Sequence, residues 1–383
     1  MSVSYWQADG EQPVREVDFL IIGAGLVGCA AALFAANAGR QVTITDARDL
    51  GLGASSRNAG FMITGLDSYY HRALERYGRP VVREMWALSQ TTHRHLHHVI
   101  DAADGAVQRQ CRGSLLLAES EAEARDLAQA ARAMDADGID LQFHARDPLR
   151  RGFHAAIEQP RDAAVQPLEL VQALSQQSGA ELLPGNEVWR IEDGGGECAR
   201  VYSLLHRFEA RYVLVCTNAW SATLLPHLAR HLVPVRGQAL VTAPLRQGPI
   251  LNTCGYSDYG YMYYRDTFDG RLLLGGGRKQ NRWLEHDRLD ERISDPVQRT
   301  LEAWLRKRFP DLDAPVERRW AGIMGFTSDG LPLVGRLPGL SNAGYAVGFN
   351  GHGLSLGAGC AERAVDLLLH DRHPGAVSAG RLL

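Results

Sequence analysis

The sequence predicts an α/β nucleotide-binding domain of Rossmann-like topology, joined to an α+β substrate domain dominated by a mixed or antiparallel β-sheet. Three observations lead to this prediction. Residues 17–45 follow the pattern strand, glycine-rich turn, helix, strand, and residues 345–370 repeat the pattern strand, turn, helix. Residues 233–277 consist instead of short Tyr, Val and Leu runs interrupted by Gly and Pro, which is typical of antiparallel strands.

The first βαβ unit is the clearest local pattern. Residues 17–22 are an apolar run without polar alternation, as in a strand that is buried on both faces of a parallel sheet. Residues 26–38 are rich in Ala, Leu and Cys at helical spacing, and Gly39 follows as a helix stop. Residues 41–45 predict the second strand, which completes the unit used by dinucleotide-binding folds.

The remaining elements suggest a nucleotide domain built from separate parts of the chain. Helices are predicted at 83–100, 121–136, 168–179, 296–309 and 354–370, and strands at 187–192, 201–205, 210–216 and 345–349. Because nucleotide-type elements occur at the beginning, middle and end, we predict a discontinuous nucleotide domain. Its predicted segments are 1–90, 150–225 and 321–383, and those of the substrate domain are 91–149 and 226–320.

The composition favours a small-molecule partner. Lys plus Arg number 41 and Asp plus Glu 44, so the net charge of −3 lacks the basic surplus of nucleic-acid and anionic-membrane binders. No apolar run approaches the ~18 residues of a membrane helix, and neither a secretory signal nor a cysteine pairing pattern is visible. We therefore expect a cytoplasmic protein with no nucleic-acid or membrane partner and, without a coiled-coil seam, a monomer.

The histidine cluster at residues 93–98 raises the question of a metal site. His93 and His97 are four residues apart on a predicted helix, which is a metal-ligand spacing. A third ligand is not evident nearby, so we interpret the cluster as a solvated helix face and predict no metal.

The glycines at the start of the first helix form a nucleotide fingerprint. Gly23, Gly25 and Gly28 match the spacing G-x-G-x-x-G between a predicted strand and helix. The first permits a tight turn, the second lets the backbone approach a pyrophosphate, and the third lets the helix pack on the strand. Asp46 closes the second strand, where its carboxylate would bind ribose hydroxyls and disfavour the 2′-phosphate of NADP.

The segment after the βαβ unit distinguishes a flavin from NAD. Residues 51–60 read Gly-Leu-Gly-Ala-Ser-Ser-Arg-Asn-Ala-Gly, which places hydroxyl groups, an amide and small residues beside the predicted pyrophosphate site. A flavin dinucleotide needs such donors and close backbone, and an NAD dehydrogenase does not.

These motifs resemble a known family. The loop at 53–60 and the segments 320–335 and 348–354 look like those of the D-amino-acid oxidase, glycine oxidase and sarcosine oxidase superfamily of FAD enzymes. The similarity is greatest to the gamma-glutamylputrescine oxidase-type branch, which also has a Ser-Tyr-Trp opening, here at residues 4–6. The motifs lie at both ends of the chain, and the middle carries little resemblance.

The resemblance implies a two-domain flavoprotein whose flavin ring lies at the domain interface. FAD would be non-covalent, because Arg57 stands where some relatives have the linking His and no Cys occurs near Met324, where others have the linking Cys. The N-terminus of the last helix would stabilise negative charge on the reduced ring. By motif match, the FAD contacts would be Gly23, Gly25, Gly28, Asp46, Ala47, Ser55, Ser56, Arg57, Asn58, Val188, Thr217, Asn218, Trp220, Gly322, Gly351, His352, Gly353 and Leu354.

Departures from the family concern the substrate and the electron acceptor. Met324 and Gly351 stand where glycine oxidase-like members carry arginines for the substrate carboxylate, so a simple α-amino acid substrate is in question. Leu273 approximately matches a lysine that activates oxygen in monomeric sarcosine oxidases. Whether oxygen or another acceptor reoxidises the flavin stays open.

Five side chains are the candidates for the substrate site: Tyr259, Tyr261, Arg265, Met324 and His352. On a strand, the period of two would put Tyr259, Tyr261 and Arg265 on one face together with Tyr263. The alternative is cross-strand aromatic packing with Arg265 on the surface. His352 would approach the flavin or the substrate, or would only cap the last helix.

We therefore predict an FAD-dependent oxidoreductase that transfers hydride from a C–N bond of a small amine or amino-acid-like substrate to flavin N5. The resulting imine would hydrolyse in water. One alternative is oxidation of a hydroxyl carbon, as in glycerol 3-phosphate or 2-hydroxy acid dehydrogenases. Arg57 and Arg265 would favour it if both faced the cavity. A minor alternative is a flavin-binding module without catalysis.

Overall fold

The fold is taken from a computed structural model, which describes residues 13–195 and 197–382. The Ser-Tyr-Trp opening at residues 4–6 lies outside the described residues. The helices are α1 (Leu26–Asn37), α2 (Tyr70–Tyr77), α3 (Arg79–Ala102), α4 (Glu121–Ala136), α5 (Pro167–Ser178), α6 (Ser221–Leu224), α7 (Arg282–Glu285), α8 (Asp295–Arg308) and α9 (Gly353–His370). The predicted helices occur within a few residues of their expected limits. Helix α2 was not predicted, although Tyr70, Ala73, Leu74 and Tyr77 recur at helical spacing along its eight residues.

The strands form two large sheets and one small sheet. They are β1 (Val14–Ile22), β2 (Val42–Thr45), β3 (Phe61–Met62), β4 (Arg109–Gln110), β5 (Ser114–Leu117), β6 (Gln142–His144), β7 (Ala156–Gln159), β8 (Ala163–Val165), β9 (Glu181–Leu183), β10 (Val188–Asp193), β11 (Ala199–Ser203), β12 (Arg207–Val215), β13 (Leu232–Thr242), β14 (Cys254–Ser257), β15 (Met262–Asp266), β16 (Leu272–Gly276), β17 (Val316–Thr327), β18 (Leu333–Leu337) and β19 (Leu340–Val347). The predicted fold class is confirmed.

The first sheet is the Rossmann-like part of the molecule. Strand β1 pairs in parallel with β2 and β12, and β9 and β19 extend the parallel set on either side. Strands β10, β11 and β18 add antiparallel pairs. Phe19 and Ile21 pack into the core under α1 and α9, whereas Leu20 and Ile22 pack into the core on the other face. Burial on both faces explains the continuous apolar run of β1.

The second sheet is mixed and mostly antiparallel, in the order β17-β13-β16-β15-β14-β5-β7-β6. Its only parallel pair among the described strands is β14 with β5. Helix α8 packs on this sheet through Leu301 and Trp304, which join Tyr264 and Leu274 in one apolar core. The third sheet contains the short strands β3, β8 and β4.

The two large sheets bear on the predicted domain limits. Strand β7 belongs to the second sheet, although residues 150–225 were predicted to belong to the nucleotide domain. Helix α3 packs against α5 and α9 of the nucleotide layer, although its residues 91–102 were predicted to belong to the substrate domain. The domain limits remain a prediction. The positions of β7 and α3 would move β7 to the substrate domain and the end of α3 to the nucleotide domain.

The histidine cluster on α3 is solvated only in part, since His98 is exposed and His93 is buried. His93 is only 8% exposed, and burial lowers its pKa to about 4. The interpretation of the cluster as fully solvated is therefore wrong for this residue, which faces the interior. Within residues 13–195 and 197–382, no group of three His, Cys, Asp or Glu side chains is arranged to hold a metal ion. In the same residues, no helix has the length and apolar character needed to span a membrane.

Candidate active site

A cavity of about 1130 Å³ lies where the ends of the first sheet's parallel strands meet the second sheet. It exceeds the usual volume of a small-molecule pocket and has room for a large cofactor together with a substrate. Its two parts differ in composition. The first, which we call the cofactor end, is formed by the turns after β1, β2 and β12. The second, the substrate end, is formed by β14, β15, β17 and the loop after β16.

The three fingerprint glycines sit where side chains would not fit. Gly23 has φ +113°, and a Cβ there would lie 2.8 Å from the Cys216 carbonyl oxygen. A Cβ on Gly25 would lie 2.9 Å from Ser55 Oγ, in the cavity wall. A Cβ on Gly28 would lie 1.9 Å from the Gly23 carbonyl oxygen. Gly23 and Gly25 line the cavity, whereas Gly28 lies behind the turn and permits the contact between helix and strand.

Asp46 organises the turn after β2. Its Oδ2 accepts a hydrogen bond from the Ala24 amide at 2.7 Å, and its Oδ1 accepts one from the Arg48 amide at 2.7 Å. The carboxylate lines the cavity together with Ala47 and keeps lone pairs free for further donors. This position suits the ribose-binding role expected from the fingerprint.

The loop at 53–60 is shaped by its own side chains. Ser55 Oγ accepts a hydrogen bond from the Leu26 amide at 2.8 Å, at the start of α1. The Asn58 amide group donates to the carbonyl oxygens of Ala54 and Ser55, and its Oδ1 accepts from the Gly60 amide at 2.7 Å. Ser55, Arg57 and Asn58 line the cavity, and Ser56 does not.

Two further contacts bring β17 and the turn after β12 to the same cavity. A Cβ on Gly322 would lie 2.8 Å from Arg57 Cβ, so only glycine lets β17 approach the loop this closely. Asn218 has φ +44°, and its Oδ1 accepts a hydrogen bond from the Gly348 amide at 3.1 Å. The other predicted contacts here that line the cavity are Val188, Thr217 and Trp220.

The last helix points its N-terminus into the cavity. Gly351, His352, Gly353 and Leu354 line the wall, and α9 begins at Gly353 without a side-chain cap on His352. The first amides of a helix have no acceptor within the helix, and its dipole is positive at that end. Because the His352 side chain does not cap the helix, its first N–H groups and positive potential remain available to an anionic group.

The residues present fit a dinucleotide. Gly23 and Gly25 present no side chain to the cavity, which lets a pyrophosphate approach the backbone, and two helix N-termini, those of α1 and α9, face the cavity. Three polar atoms of residues in its wall, Arg57 Nε, Trp86 Nε1 and Trp189 Nε1, are buried and have no hydrogen-bond partner among the described residues. Buried donors of this kind normally have acceptors, which the oxygen and nitrogen atoms of a bound cofactor would supply.

A parallel sheet with this turn and a second sheet closing over its carboxyl edge define a two-domain, dinucleotide-binding redox enzyme. Residues 18–367 match the family of FAD dependent oxidoreductases, and the chain belongs to that family. The enzyme class, the recognised superfamily and the FAD cofactor predicted from the sequence are thereby confirmed.

Individual relatives agree with this assignment. The chain is 27% identical over 380 residues to the probable oxidoreductase OrdL of Rhizobium meliloti (strain 1021), covering 93% of this chain and 83% of that protein. It is 26% identical over 360 residues to gamma-glutamylputrescine oxidoreductase of Escherichia coli (strain K12), covering 88% and 80%. The fold matches the crystal structure of glycine oxidase from Geobacillus kaustophilus with a TM-score of 0.81 and 22% identity, covering 96% of this chain and 99% of that chain.

The predicted row of side chains on one strand is wrong. Strand β15 begins at Met262, and Tyr259 has φ +56° in the preceding turn, so the period of two does not extend to Tyr259 and Tyr261. The Tyr259 amide donates a hydrogen bond to Glu123 Oε1 at 2.7 Å, and the Tyr259 hydroxyl donates one to Asp126 Oδ2 at 2.8 Å. Both tyrosines still line the cavity, as does Tyr263.

Arg265 lies outside the cavity wall. Its side chain is 3% exposed, and its Nη1 donates to the Val165 carbonyl at 3.1 Å and more weakly to those of Ala59 and Gly60. Burial lowers its pKa. The expectation that Arg265 contacts substrate is therefore corrected: its donors hold the loop at 53–60 against β8.

Met324 and His352 do line the substrate end. His352 Nδ1 lies 3.2 Å from the Asn350 carbonyl oxygen. The Met324 sulfur lies 3.4 Å from the position of a Cβ on Gly351. The two places where relatives carry arginines are therefore adjacent in space, and here they form an uncharged surface.

Sequence reasoning missed several residues of the substrate end: Asp67, Tyr256, Arg278, Lys279, Arg282 and Phe326. They come from the segment after β3, from β14, from the loop after β16, from the start of α7 and from β17, so no short motif contains them. Burial raises the pKa of the Tyr256 and Tyr263 hydroxyl groups, which therefore stay protonated and can donate hydrogen bonds to a ligand. A tyrosine-rich wall thus closes the cavity beside the N-terminus of α9.

Proposed function

We propose that this protein oxidises a C–N bond of a small amine or amino-acid-like substrate. The observation that carries the proposal is the tyrosine-lined compartment, which includes Tyr256, Tyr261 and Tyr263, beside the exposed amides at the start of α9. Support also comes from relatives whose names state glycine oxidase and gamma-glutamylputrescine oxidoreductase activity.

The chain's own residues would bind, orient and desolvate the substrate. FAD, when bound, supplies the hydride acceptor at its N5 atom. The amides of Gly353 and Leu354 would stabilise the negative charge gained at that edge of the site. The phenol rings would exclude water and hold the substrate carbon in a near-attack position.

The alternative of hydroxyl-carbon oxidation has weaker support. Its condition was that Arg57 and Arg265 both face the cavity, and Arg265 instead binds backbone carbonyls. Arg57 donates to the Ala321 carbonyl oxygen and contacts Glu291, so it is not free for a second anion in the substrate end. Oxygen as acceptor, a monomeric state and a cytoplasmic location stay predictions.

The test is an anaerobic absorbance titration of the purified holoenzyme with three pools of donors: amines including gamma-glutamylated ones, amino acids, and hydroxy acids with glycerol phosphate. We expect an amine or amino-acid pool to bleach the flavin. Bleaching by hydroxy acids alone would reverse the assignment. Reduction by dithionite is the control, and bleaching by dithionite but by none of the pools would refute the proposed substrate class.

A further inference from the structure

The cations that line the cavity are nearly all paired. Among residues 13–195 and 197–382, six arginine and lysine side chains are present in its wall. Five of them have an oxygen acceptor: Arg48 and Arg57 on Glu291, Arg72 on Asp126, Lys279 on Asp258, and Arg282 on the Tyr261 hydroxyl. The sixth, Arg278, makes no side-chain hydrogen bond or ion pair with the residues that the structure describes.

Arg278 is nevertheless held in place. Its guanidinium carbon lies 5.0 Å from the ring centroid of Tyr261 and 5.4 Å from that of Phe326. Contact with two aromatic rings stabilises the cation without using its N–H groups, which remain available to a ligand. A fixed, partly desolvated guanidinium with free donors is the group best suited to bind a carboxylate through two hydrogen bonds.

An unpaired carboxylate faces the same space. Asp67 has protein packed around it, but much of its surface is open to the cavity that it lines. Within the described chain its carboxylate accepts no hydrogen bond. A Cβ on Gly260 would lie 4.0 Å from its Oδ1. The nearby cations His352, Arg278 and Arg76 act to lower the pKa of Asp67. In turn, the charge of Asp67 acts to raise the pKa of Tyr77 and Tyr256.

We propose that Arg278 and Asp67 together recognise a substrate that carries both a carboxylate and an ammonium group. This inference rests on the proposed function and narrows its substrate to amino-acid-like molecules. Arg278 replaces, from the loop after β16, the guanidinium that β17 and the turn before α9 lack at Met324 and Gly351.

Asp67 also supplies a proton acceptor for the reacting amine. Hydride leaves the carbon only when the nitrogen lone pair is free, so the ammonium group must first lose one proton. Transfer to Asp67 breaks one N–H bond, forms one O–H bond, and converts an ion pair into a neutral amine and a neutral acid. Burial raises the pKa of Asp67, which favours this transfer.

Acetate binding to the holoenzyme tests Arg278 without turnover. Acetate presents the carboxylate alone, and a carboxylate bound beside the flavin changes its absorbance spectrum. We expect Arg278→Met to raise the dissociation constant about 10- to 100-fold, as for loss of hydrogen bonds to a charged group, and Arg278→Lys to restore part of the affinity. Arg246→Met is the matched control. The Arg246 side chain is 88% exposed, and its ion pair with Asp313 is long, at 3.9 Å. Equal acetate affinity in Arg278→Met and wild type, or the lack of a spectral change in wild type, would overturn the proposal.

Glycine, which is acetate with an added ammonium group, tests Asp67. In Asp67→Asn we expect the dissociation constant of glycine to rise about tenfold while that of acetate stays equal or falls. A parallel loss of both ligands would show that Asp67 is only structural, and an unchanged glycine affinity would refute its role.

The two hypotheses fail separately. Spectral shifts that depend on Arg278 without reduction by any donor would support the binding site and contradict the C–N oxidation. If the flavin is reduced equally well by amino acids and by the corresponding amines without a carboxylate, the oxidation stands and the proposed recognition by Arg278 does not.

Discussion

The two ends of the cavity handle charge in opposite ways. At the cofactor end, the Asp46 carboxylate accepts hydrogen bonds from two backbone amides. Arg48 and Arg57 both form ion pairs with Glu291. At the substrate end, Arg278 and Asp67 face open space without hydrogen-bond partners among the described residues. The charged side chains Asp46, Arg48 and Arg57 of the cofactor end therefore have protein partners without a ligand, whereas Arg278 and Asp67 do not.

The difference follows from what each end must bind. A pyrophosphate can be bound by backbone amides and helix dipoles, so side chains there are free to pair with each other and shape the turn. A small substrate must be distinguished by its own charges, which requires side chains that keep their donors and acceptors unused. Unpaired charges cost stability, and we expect the substrate end to show that cost.

The largest expected effect tests whether the glycine turn at the cofactor end is needed for stability and for FAD binding. In Gly28→Ala, the new Cβ would meet the Gly23 carbonyl oxygen at 1.9 Å, so α1 must move away from β1. We expect a loss of stability at or above the upper end of the ~1–3 kcal/mol that overpacking typically costs, together with loss of bound FAD. Flavin absorbance after gel filtration and urea unfolding would measure both.

A glycine substitution with space around it provides the control. In Gly380→Ala, the nearest atom to the new Cβ is Ser378 Oγ at 3.5 Å, which is ordinary contact. We expect a change within about 0.5 kcal/mol and normal flavin content. Normal flavin content in Gly28→Ala as well would contradict the assigned role of this turn.

The sequence could predict the cofactor end because its parts are local. The glycines, Asp46 and the loop at 53–60 occur within one βαβ unit and the segment after it, where spacing determines geometry. The helices and the buried strand β1 follow from hydrophobic periodicity for the same reason.

The substrate end could not be predicted in this way. Asp67 and Arg278 are more than 200 positions apart in the printed sequence and meet only through the packing of the second sheet. The strand period also failed, because positive φ at Asp258 and Tyr259 creates a turn before Met262. Arg265 and Arg278 are both arginines near that sheet, and only the fold shows which of them faces the cavity.

An intermediate effect concerns the stability cost at the substrate end. Burial raises the pKa of Asp67, so the folded protein holds a proton at pH values where the unfolded chain has lost it. The resulting penalty is absent at acidic pH, where both states are protonated, and grows as pH rises through the folded pKa. Asp67→Asn should therefore increase the free energy of unfolding at pH 7 and not at pH 4. Because solvent in the open cavity screens the carboxylate, we expect the gain to stay below about 1 kcal/mol.

Unfolding of the holoenzyme at both pH values, with the same free FAD concentration, measures this difference. Asp49→Asn serves as the control, because Asp49 is exposed and its carboxylate accepts a hydrogen bond from the Leu50 amide alone among the described residues. A loss of stability in Asp67→Asn at pH 7 would mean that the carboxylate is stabilised by its surroundings, and the contrast between the two ends would fail.

The smallest expected effect tests whether FAD binds more tightly when the ion pairs of Glu291 with Arg48 and Arg57 are removed. Glu291 occupies both Arg48 and Arg57 at 2.9 and 2.8 Å, and its negative charge lies in the wall of the cavity that receives the FAD phosphates. Glu291→Gln frees the two guanidinium groups, so we expect the FAD dissociation constant to fall about 2- to 5-fold, in keeping with the modest energy of partly exposed ion pairs. The gain should shrink as salt is added, because salt screens the attraction to the phosphates. Weaker FAD binding in this variant would show that Glu291 positions the arginines for the cofactor. The cofactor end would then depend on its ion pairs for binding, as well as for its shape.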